Sequence, residues 1–252
     1  MFRSGESLAV RLPRRQLGAE LIEKEQTWLP RLAPKLTLPV PQPVRVGVPA
    51  GHYPWRWSVV PWMIGKTVEK EILAAGEGQR FANFLRSLHT PATEDAPRNL
   101  YRDIPLIQCS NRIQACISKL EGTTDAIERS IKKLWKQACA APITTPPTLI
   151  HGDLHARNVL AHMGKITSVI DWGDLTAGDV ATDLAAIWML FEQPSERESV
   201  IATYQLDEAT YLRAQGWAIF FATILLKTGR VDNLSQAKIA RATLQRLIED
   251  HR

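Results

Sequence analysis

Asp153, Asn158 and Asp171 fall within one short stretch, HGDLHARNVLAHMGKITSVIDWGD, and their types and spacing suit the chemistry of phosphate groups. Residues 159–161 and 166–170 read as two strands around a turn at Met163-Gly164-Lys165, a β-hairpin. With the turn centred between Gly164 and Lys165, Asn158 and Asp171 face each other at the open end, their Cα atoms roughly 4.5–5.5 Å apart. An amide oxygen beside a carboxylate is a pair of hard oxygen ligands, suited to Mg²⁺ carrying bound phosphates. Asp153 precedes Asn158 in the loop that enters the hairpin, within reach of a hydroxyl held next to the metal. A base, a metal pair and a rigid hairpin to hold them are what phosphoryl transfer requires.

Each residue also has a plainer reading. Asp153 after a glycine can be a turn residue, Asn158 can cap a loop and Asp171 can end a strand. His151 reads as an orienting or packing residue, and His155 as a partner of the loop backbone. A metal-dependent hydrolase built on His151, Asp153 and His155 is a rival, because His and Asp bind transition metals. It finds no further downstream ligand, since His162 sits at the turn and His251 at the chain end. Asp179 is placed to cap the following helix and Asp183 falls in its first turns, both structural roles. Asp174 stays open between the two.

The elements that must hold this insert are strands first and helices after. Residues 6–12 read as a strand, and 17–33 as a helix with Leu21, Ile22, Glu25, Trp28, Leu29 and Leu32 on one stripe. The proline-rich run LPVPQPVRVGVPAGHYPW permits only short extended pieces, and WSVVPWMIG reads as a strand running into a connector. Beyond it helices are expected at 77–89, 103–120, 124–140, 180–191, 208–226 and 235–249, with Ile113, Cys116, Ile117 and Leu120 as one face. The fold class is α+β, a strand-rich front at 1–64 and a mainly helical back at 65–252 carrying the hairpin.

Composition narrows the setting. The 252 residues are 45% hydrophobic and 23% charged, an ordinary globular balance. No apolar run approaches the ~20 residues of a membrane span, and the N-terminus lacks signal-peptide features, so the cytoplasm is the expected compartment. Cys109, Cys116 and Cys139 contain no CxxC pair and suggest neither disulfides nor structural zinc. The net charge of +5 is scattered among acids without interleaved aromatics, which favours an anionic ligand such as a nucleotide over nucleic acid or a membrane.

HGDLHARNVL followed by IDWGDLTAGDVATDLA resembles the catalytic and metal-binding motifs of the aminoglycoside phosphotransferase family. The resemblance extends through LAVRLPR, KEQTWLPRLAP, LPVPQPV and YPWRWSVVPWMIG. It implies a two-lobed protein-kinase-like fold and a small-molecule kinase using ATP or GTP with Mg²⁺ on a small hydroxylated substrate. By that resemblance Asp153 is the catalytic base, and Asn158 and Asp171 hold Mg²⁺. Arg11 stands where the family usually places a strand lysine on the nucleotide phosphates, and Glu25 is its ion-pair partner. Residues 60–64, including Val60, Trp62 and Ile64, form the interlobe hinge that meets the purine. Arg11 departs from the family lysine, a planar fork in place of a point charge. Met1 falls in what the family makes its second strand, so the first strand and the phosphate-covering loop are expected upstream, and a catalytically impaired nucleotide-binding protein is the second reading.

The acceptor is less legible. Glu192, Glu196, Glu198, Asp207 and Glu208 lie in the region where aminoglycoside-binding members present acids, but acids near helix starts are usually solvated dipole partners. Trp188 and Trp217 read as core residues or as the wall of an apolar pocket.

Overall fold

A computed structural model describes residues 1–117, 125–232 and 234–251. The front half is one four-stranded antiparallel sheet of order β1-β2-β4-β3, made of β1 (Phe2–Ser4), β2 (Leu8–Arg11), β3 (Arg45–Gly47) and β4 (Trp57–Pro61). The strand expected at 6–12 is shorter, because the chain turns through Gly5 (φ +63) to pair Phe2–Ser4 with Leu8–Val10. Across this sheet packs helix α1 (Gln16–Leu32), whose buried face is Ala19, Ile22, Glu25, Trp28, Leu29 and Leu32. A carboxylate on an otherwise apolar stripe demands a partner, and Glu25 finds one in Arg11.

After β4 the chain crosses to a second sheet. Strand β5 (Lys66–Thr67) pairs with β7 (Val159–His162), and β7 with β8 (Lys165–Val169). The back half is helical: α2 (Glu77–Leu88), α3 (Ser110–Ile117), α4 (Asp125–Ala140), α5 (Ala181–Leu184), α6 (Ala186–Leu190), α7 (Pro194–Tyr204), α8 (Glu208–Asp232) and α9 (Leu234–Glu249). Two further strands, β6 (Thr148–Ile150) and β9 (Thr176–Gly178), pair antiparallel and bracket the hairpin. Ile113 on the expected α3 face is buried, whereas Leu120 lies outside the described residues. One apolar core runs from Trp28 and Leu29 through α2 to Trp172, Trp188 and Trp217, all of them buried. Trp188 and Trp217 are therefore core and line no open pocket. No helix among the described residues is long and apolar enough to cross a membrane.

The hairpin is present, but its register differs from the expected one. Met163 (φ 52) and Gly164 (φ 75) form a two-residue turn closed by the pair His162↔Lys165. Two central residues at positive φ match the tight turn whose twist suits a hairpin. A bulge between Leu160 and Ala161 then shifts the pairing, so that Leu160 meets Ser168 and Val159 meets Val169. The Ile170 N–H donates to the Asn158 carbonyl at 2.9 Å. Asn158 therefore faces Ile170, and Asp171 stands one residue further out.

Candidate active site

Asp153 lies in the loop between β6 and β7, and that loop is fixed from beneath. Asp183 on α5 is fully buried and accepts from the His151 N–H at 2.7 Å and the Gly152 N–H at 2.8 Å. Its Oδ2 also lies 3.2 Å from His89 Nε2, and His89 Nδ1 lies 2.7 Å from the Tyr204 hydroxyl. Gly152 has φ +83, and a Cβ there would stand 2.6 Å from the Asp174 carbonyl oxygen. Only glycine makes that close turn without strain. Asp183 thus does more than favour a helix dipole: it ties down two backbone amides next to Asp153. The sequence signals this weakly, because an acid in the first turns of a helix usually serves that helix.

The His151 ring is buried against Trp172, with ring centroids 4.7 Å apart. Nε2 lies 3.1 Å from the Ile170 carbonyl, and Nδ1 accepts from the Asp153 N–H at 3.2 Å. This pattern assigns the proton to Nε2 and commits the Nδ1 lone pair to the backbone, leaving nothing for a metal. His155 Nδ1 accepts from the Arg157 N–H at 3.2 Å, and its Nε2 lies 3.4 Å from Asp153 Oδ2. The hydrolase reading therefore loses its first ligand.

Both oxygens of Asp153 are engaged. Asn158 Nδ2 donates to the Asp153 carbonyl at 2.9 Å and to Oδ2 at 3.2 Å, and Arg102 Nη2 donates to Oδ1 at 3.2 Å. Burial alone would push the Asp153 carboxyl up. The hydrogen bond from His155 and the charge of Arg102 outweigh it and hold the carboxyl well below the ordinary range. Because Asn158 turns its Nδ2 toward Asp153, its Oδ1 is turned away and free to act as a donor oxygen.

Asp171 adopts φ 64, and its side chain is 60% exposed. Its Oδ1 lies 3.9 Å from Arg11 Nη2. Arg11 makes a short ion pair with Glu25 Oε2, while Glu25 Oε1 accepts from the Trp172 N–H at 3.0 Å. Burial raises the Glu25 carboxyl, and the Arg11 charge opposes that rise. One buried carboxylate thereby couples the β2 arginine to the backbone immediately after Asp171. The fit for Mg²⁺ is in the donor set, an amide oxygen and an exposed carboxylate. Among the described residues no cluster of three or more His, Cys, Asp and Glu comes together to hold a metal alone. That suits Mg²⁺, which takes one or two protein oxygens and completes its shell with water and phosphate.

The connector residues are placed less simply. Val60 is buried and pairs with Ala9 across β2 and β4, and the Trp62 N–H already donates to the Ser7 carbonyl at 2.7 Å. Ile64 is exposed, and its carbonyl accepts from the Thr167 hydroxyl at 2.6 Å. Asp174 accepts from Asn99 Nδ2 at 2.7 Å, and Asp179 caps the Ala181 N–H at 3.1 Å while pairing with Arg213 at 2.6 Å. Arg102 carries no sequence signal; it is an isolated arginine in a loop remote in sequence from Asp153. Two open concavities, about 540 Å³ over α9 and about 480 Å³ beside the start of α2, are not lined by Asp153, Asn158 or Asp171.

The sequence profile of the phosphotransferase enzyme family matches residues 2–217. The chain belongs to that family. An aminoglycoside 3'-phosphotransferase of Salmonella typhimurium is 27% identical over 162 residues, covering 60% of this chain and 59% of the relative. A thiamine kinase of Escherichia coli (strain SMS-3-5 / SECEC) is 33% identical over 89 residues, covering 35% of this chain and 30% of that kinase. The matches thus span less than two thirds of these curated relatives. The solved GDP and kanamycin complex of APH(2″)-IIIa superposes with a TM-score of 0.69 at 18% identity, covering 98% of this chain and 88% of that one. The fold is accordingly the two-lobed kinase-like fold of these phosphotransferases.

Proposed function

We propose that this chain transfers the terminal phosphoryl group of ATP or GTP to a hydroxyl of a small molecule. The observation that carries the reading is the carboxylate of Asp153, held ionised in a loop that also turns the Asn158 oxygen outward and lies beside Asp171. Asp153 accepts the proton of the acceptor hydroxyl as the oxygen attacks, and Asn158 Nδ2 holds its carboxylate in place. Asn158 Oδ1 and Asp171 would hold Mg²⁺, which when bound offsets charge on the phosphates. Arg11, fixed by Glu25, faces the phosphates as a permanent cation. Val60, Trp62 and Ile64 supply the wall for the purine, and since the Trp62 N–H is already taken up, that residue offers shape and not a donor. The proposed lobe boundary, 64/65, is where the chain leaves the first sheet and joins the hairpin through β5.

The family membership and the named chemistry of the relatives support this reading, as does the joint retention of Asp153, Asn158 and Asp171. A protein that only binds nucleotide has no need of the base. The test is a pair of variants. Asp153→Ala should abolish transfer while sparing nucleotide binding, and Asp171→Ala should lose Mg²⁺-dependent nucleotide binding as well. The binding is read as a thermal shift with ATP or GTP, with and without Mg²⁺, because a ligand of the folded state raises its stability by mass action. Undiminished transfer by Asp153→Ala would remove the mechanism.

A further inference from the structure

The loop between α2 and α3 is built to deliver one side chain to the base. The Pro97 carbonyl accepts from the Ala177 N–H at 2.9 Å and the Thr176 hydroxyl at 3.0 Å, which plants the loop on β9. Asn99 then organises the turn: its carbonyl accepts from the Arg102 and Asp103 N–H groups at 3.1 and 2.9 Å, and its Oδ1 from the Tyr101 N–H at 2.9 Å. Its Nδ2 reaches Asp174, as described. Arg102 leaves this turn and points inward, its side chain only 16% exposed. Nε donates to the Gly152 carbonyl at 2.6 Å, Nη2 reaches Asp153 Oδ1, and the guanidinium lies 5.0 Å from the Phe221 ring on α8.

This arrangement poses a chemical problem for the base. Asp153 must receive a proton, yet Oδ1 faces a guanidinium and Oδ2 is held by its own loop through Asn158. Once protonated, it also leaves Arg102 as a largely buried cation that has lost its ion-pair partner among the described residues, which is costly. Both difficulties vanish if the incoming molecule supplies an anion.

Three of the five acids that could instead attract a polycation already have partners in the fold. Glu196 accepts from the Gly76 and Gly78 N–H groups at 2.9 and 2.7 Å, at the start of α2. Asp207 accepts from the Thr210 N–H and hydroxyl at 2.9 and 2.7 Å, and Glu192 lies 3.6 Å from Arg246.

We propose that Arg102 selects the acceptor: the reacting hydroxyl belongs to a molecule carrying a carboxylate or phosphate close by, and that anion takes up the Arg102 guanidinium as the hydroxyl seats against Asp153. This rests on the phosphotransferase reading. A guanidinium matches either anion through two parallel N–H···O bonds, while its Nε stays on the Gly152 carbonyl. In the step itself the acceptor O–H bond breaks and its proton passes to Asp153 Oδ1. The acceptor oxygen forms the new bond to the γ-phosphorus. The bond from that phosphorus to the β-bridging oxygen breaks, and its electron pair leaves on the nucleoside diphosphate.

The experiment compares matched acceptors by release of nucleoside diphosphate: glycerate against glycerol, glucose 6-phosphate against glucose, and kanamycin as the polycation. The wild-type chain should favour at least one anion over its neutral partner by tenfold or more in kcat/KM. In Arg102→Gln that ratio should fall toward one, and Arg102→Lys should restore part of it. Mg²⁺-nucleotide binding by each variant shows that it is folded. Preference for a neutral acceptor or for kanamycin overturns the proposal, as does an Arg102→Gln variant that slows all acceptors by the same factor. If no acceptor is phosphorylated, the thermal shift decides. Stabilisation by the anions beyond their neutral partners, lost in Arg102→Gln, retains Arg102 as an anion reader and retires only the phosphotransferase reading. No such stabilisation overturns both.

Discussion

Replacing Asp183 by asparagine tests whether the base is positioned from beneath. The carboxylate accepts two buried backbone N–H groups, at 2.7 and 2.8 Å, and has no exposed surface. Hydrogen bonds to a charged acceptor contribute about 1.5–3 kcal/mol each, and an orphaned buried donor costs about 1–3 kcal/mol. Asn keeps one acceptor oxygen but sets an NH₂ against the second N–H, so one bond is lost and one donor is stranded. The expected cost is about 2–3 kcal/mol. Ala strands both donors and should cost about 3–5 kcal/mol, the range for breaking a buried charged interaction. Against a total stability of about 5–15 kcal/mol, the Asn variant stays folded while the Ala variant becomes marginal. With a denaturant slope of about 2–3 kcal/mol per M, Asp183→Asn should lower the urea midpoint by about 1 M. Phosphoryl transfer should fall further than nucleotide affinity does, because residues 151–153 are displaced while Asp171 is untouched. Asp171→Asn, at an exposed side chain, should stay within about 0.5 kcal/mol of wild type and serves as the control. A midpoint for Asp183→Asn within about 0.2 M of wild type would refute the argument.

Gly152→Ala should destabilise by about 1–3 kcal/mol and slow transfer, because a Cβ at φ +83 would meet the Asp174 carbonyl at 2.6 Å; a melting temperature equal to wild type would show that the loop relaxes freely. Arg197 is buried and ties α7 to the chain end through Asp250 at 2.8 and 2.5 Å, and to the Phe191 and Glu192 carbonyls. Asp250→Ala should therefore cost about 3–5 kcal/mol in urea denaturation, and Arg197→Met with Asp250→Leu together should cost less than the sum of the two. Asp153 has a depressed folded-state pKa, so its stabilising contribution is complete above the unfolded value of about 3.9 and fades as pH falls toward the folded one. The melting temperature of Asp153→Asn should accordingly lie below wild type at neutral pH, with the gap closing below about pH 4; a gap that is constant with pH would contradict the assigned ion pairing.

What the sequence revealed and what it hid divide along physical lines. Helix α1 was legible from its stripe, and so was the anomaly on it, Glu25, whose partner Arg11 lies one loop away. The hairpin was legible from two β-rich runs around a glycine. Helix α7 was not foreseen: it buries only Arg197 and Val200, so it carries no apolar period, and its start is marked by Pro194 alone. Strands β1, β6 and β9 are three residues each, too short to show alternation. Of the site, Asp153, Asn158 and Asp171 stood out because they share one stretch. Asp183 and Arg102 did not, because each acts across the fold on a loop far from it in sequence, and nothing in residue type announces that.

The displaced register shows how the hairpin serves both of its ends. Side chains alternate faces along a strand, and a one-residue slip exchanges them. Without the bulge between Leu160 and Ala161, the ladder that starts at His162↔Lys165 would set Val169 opposite Asn158 and leave Asp171 two residues beyond. With it, Ile170 takes the last pairing position and the chain turns at Asp171, where φ is 64. The next residue, Trp172, then enters the core against His151 and offers its N–H to Glu25, while Asp171 itself remains exposed. A straight ladder would set Asp171 one residue further from Asn158 and exchange the faces of the residues around it. The bulge is therefore part of the site: it allows a strand ending in a buried indole to present a carboxylate beside the Asn158 oxygen. It also places that carboxylate within 3.9 Å of the arginine that Glu25 holds.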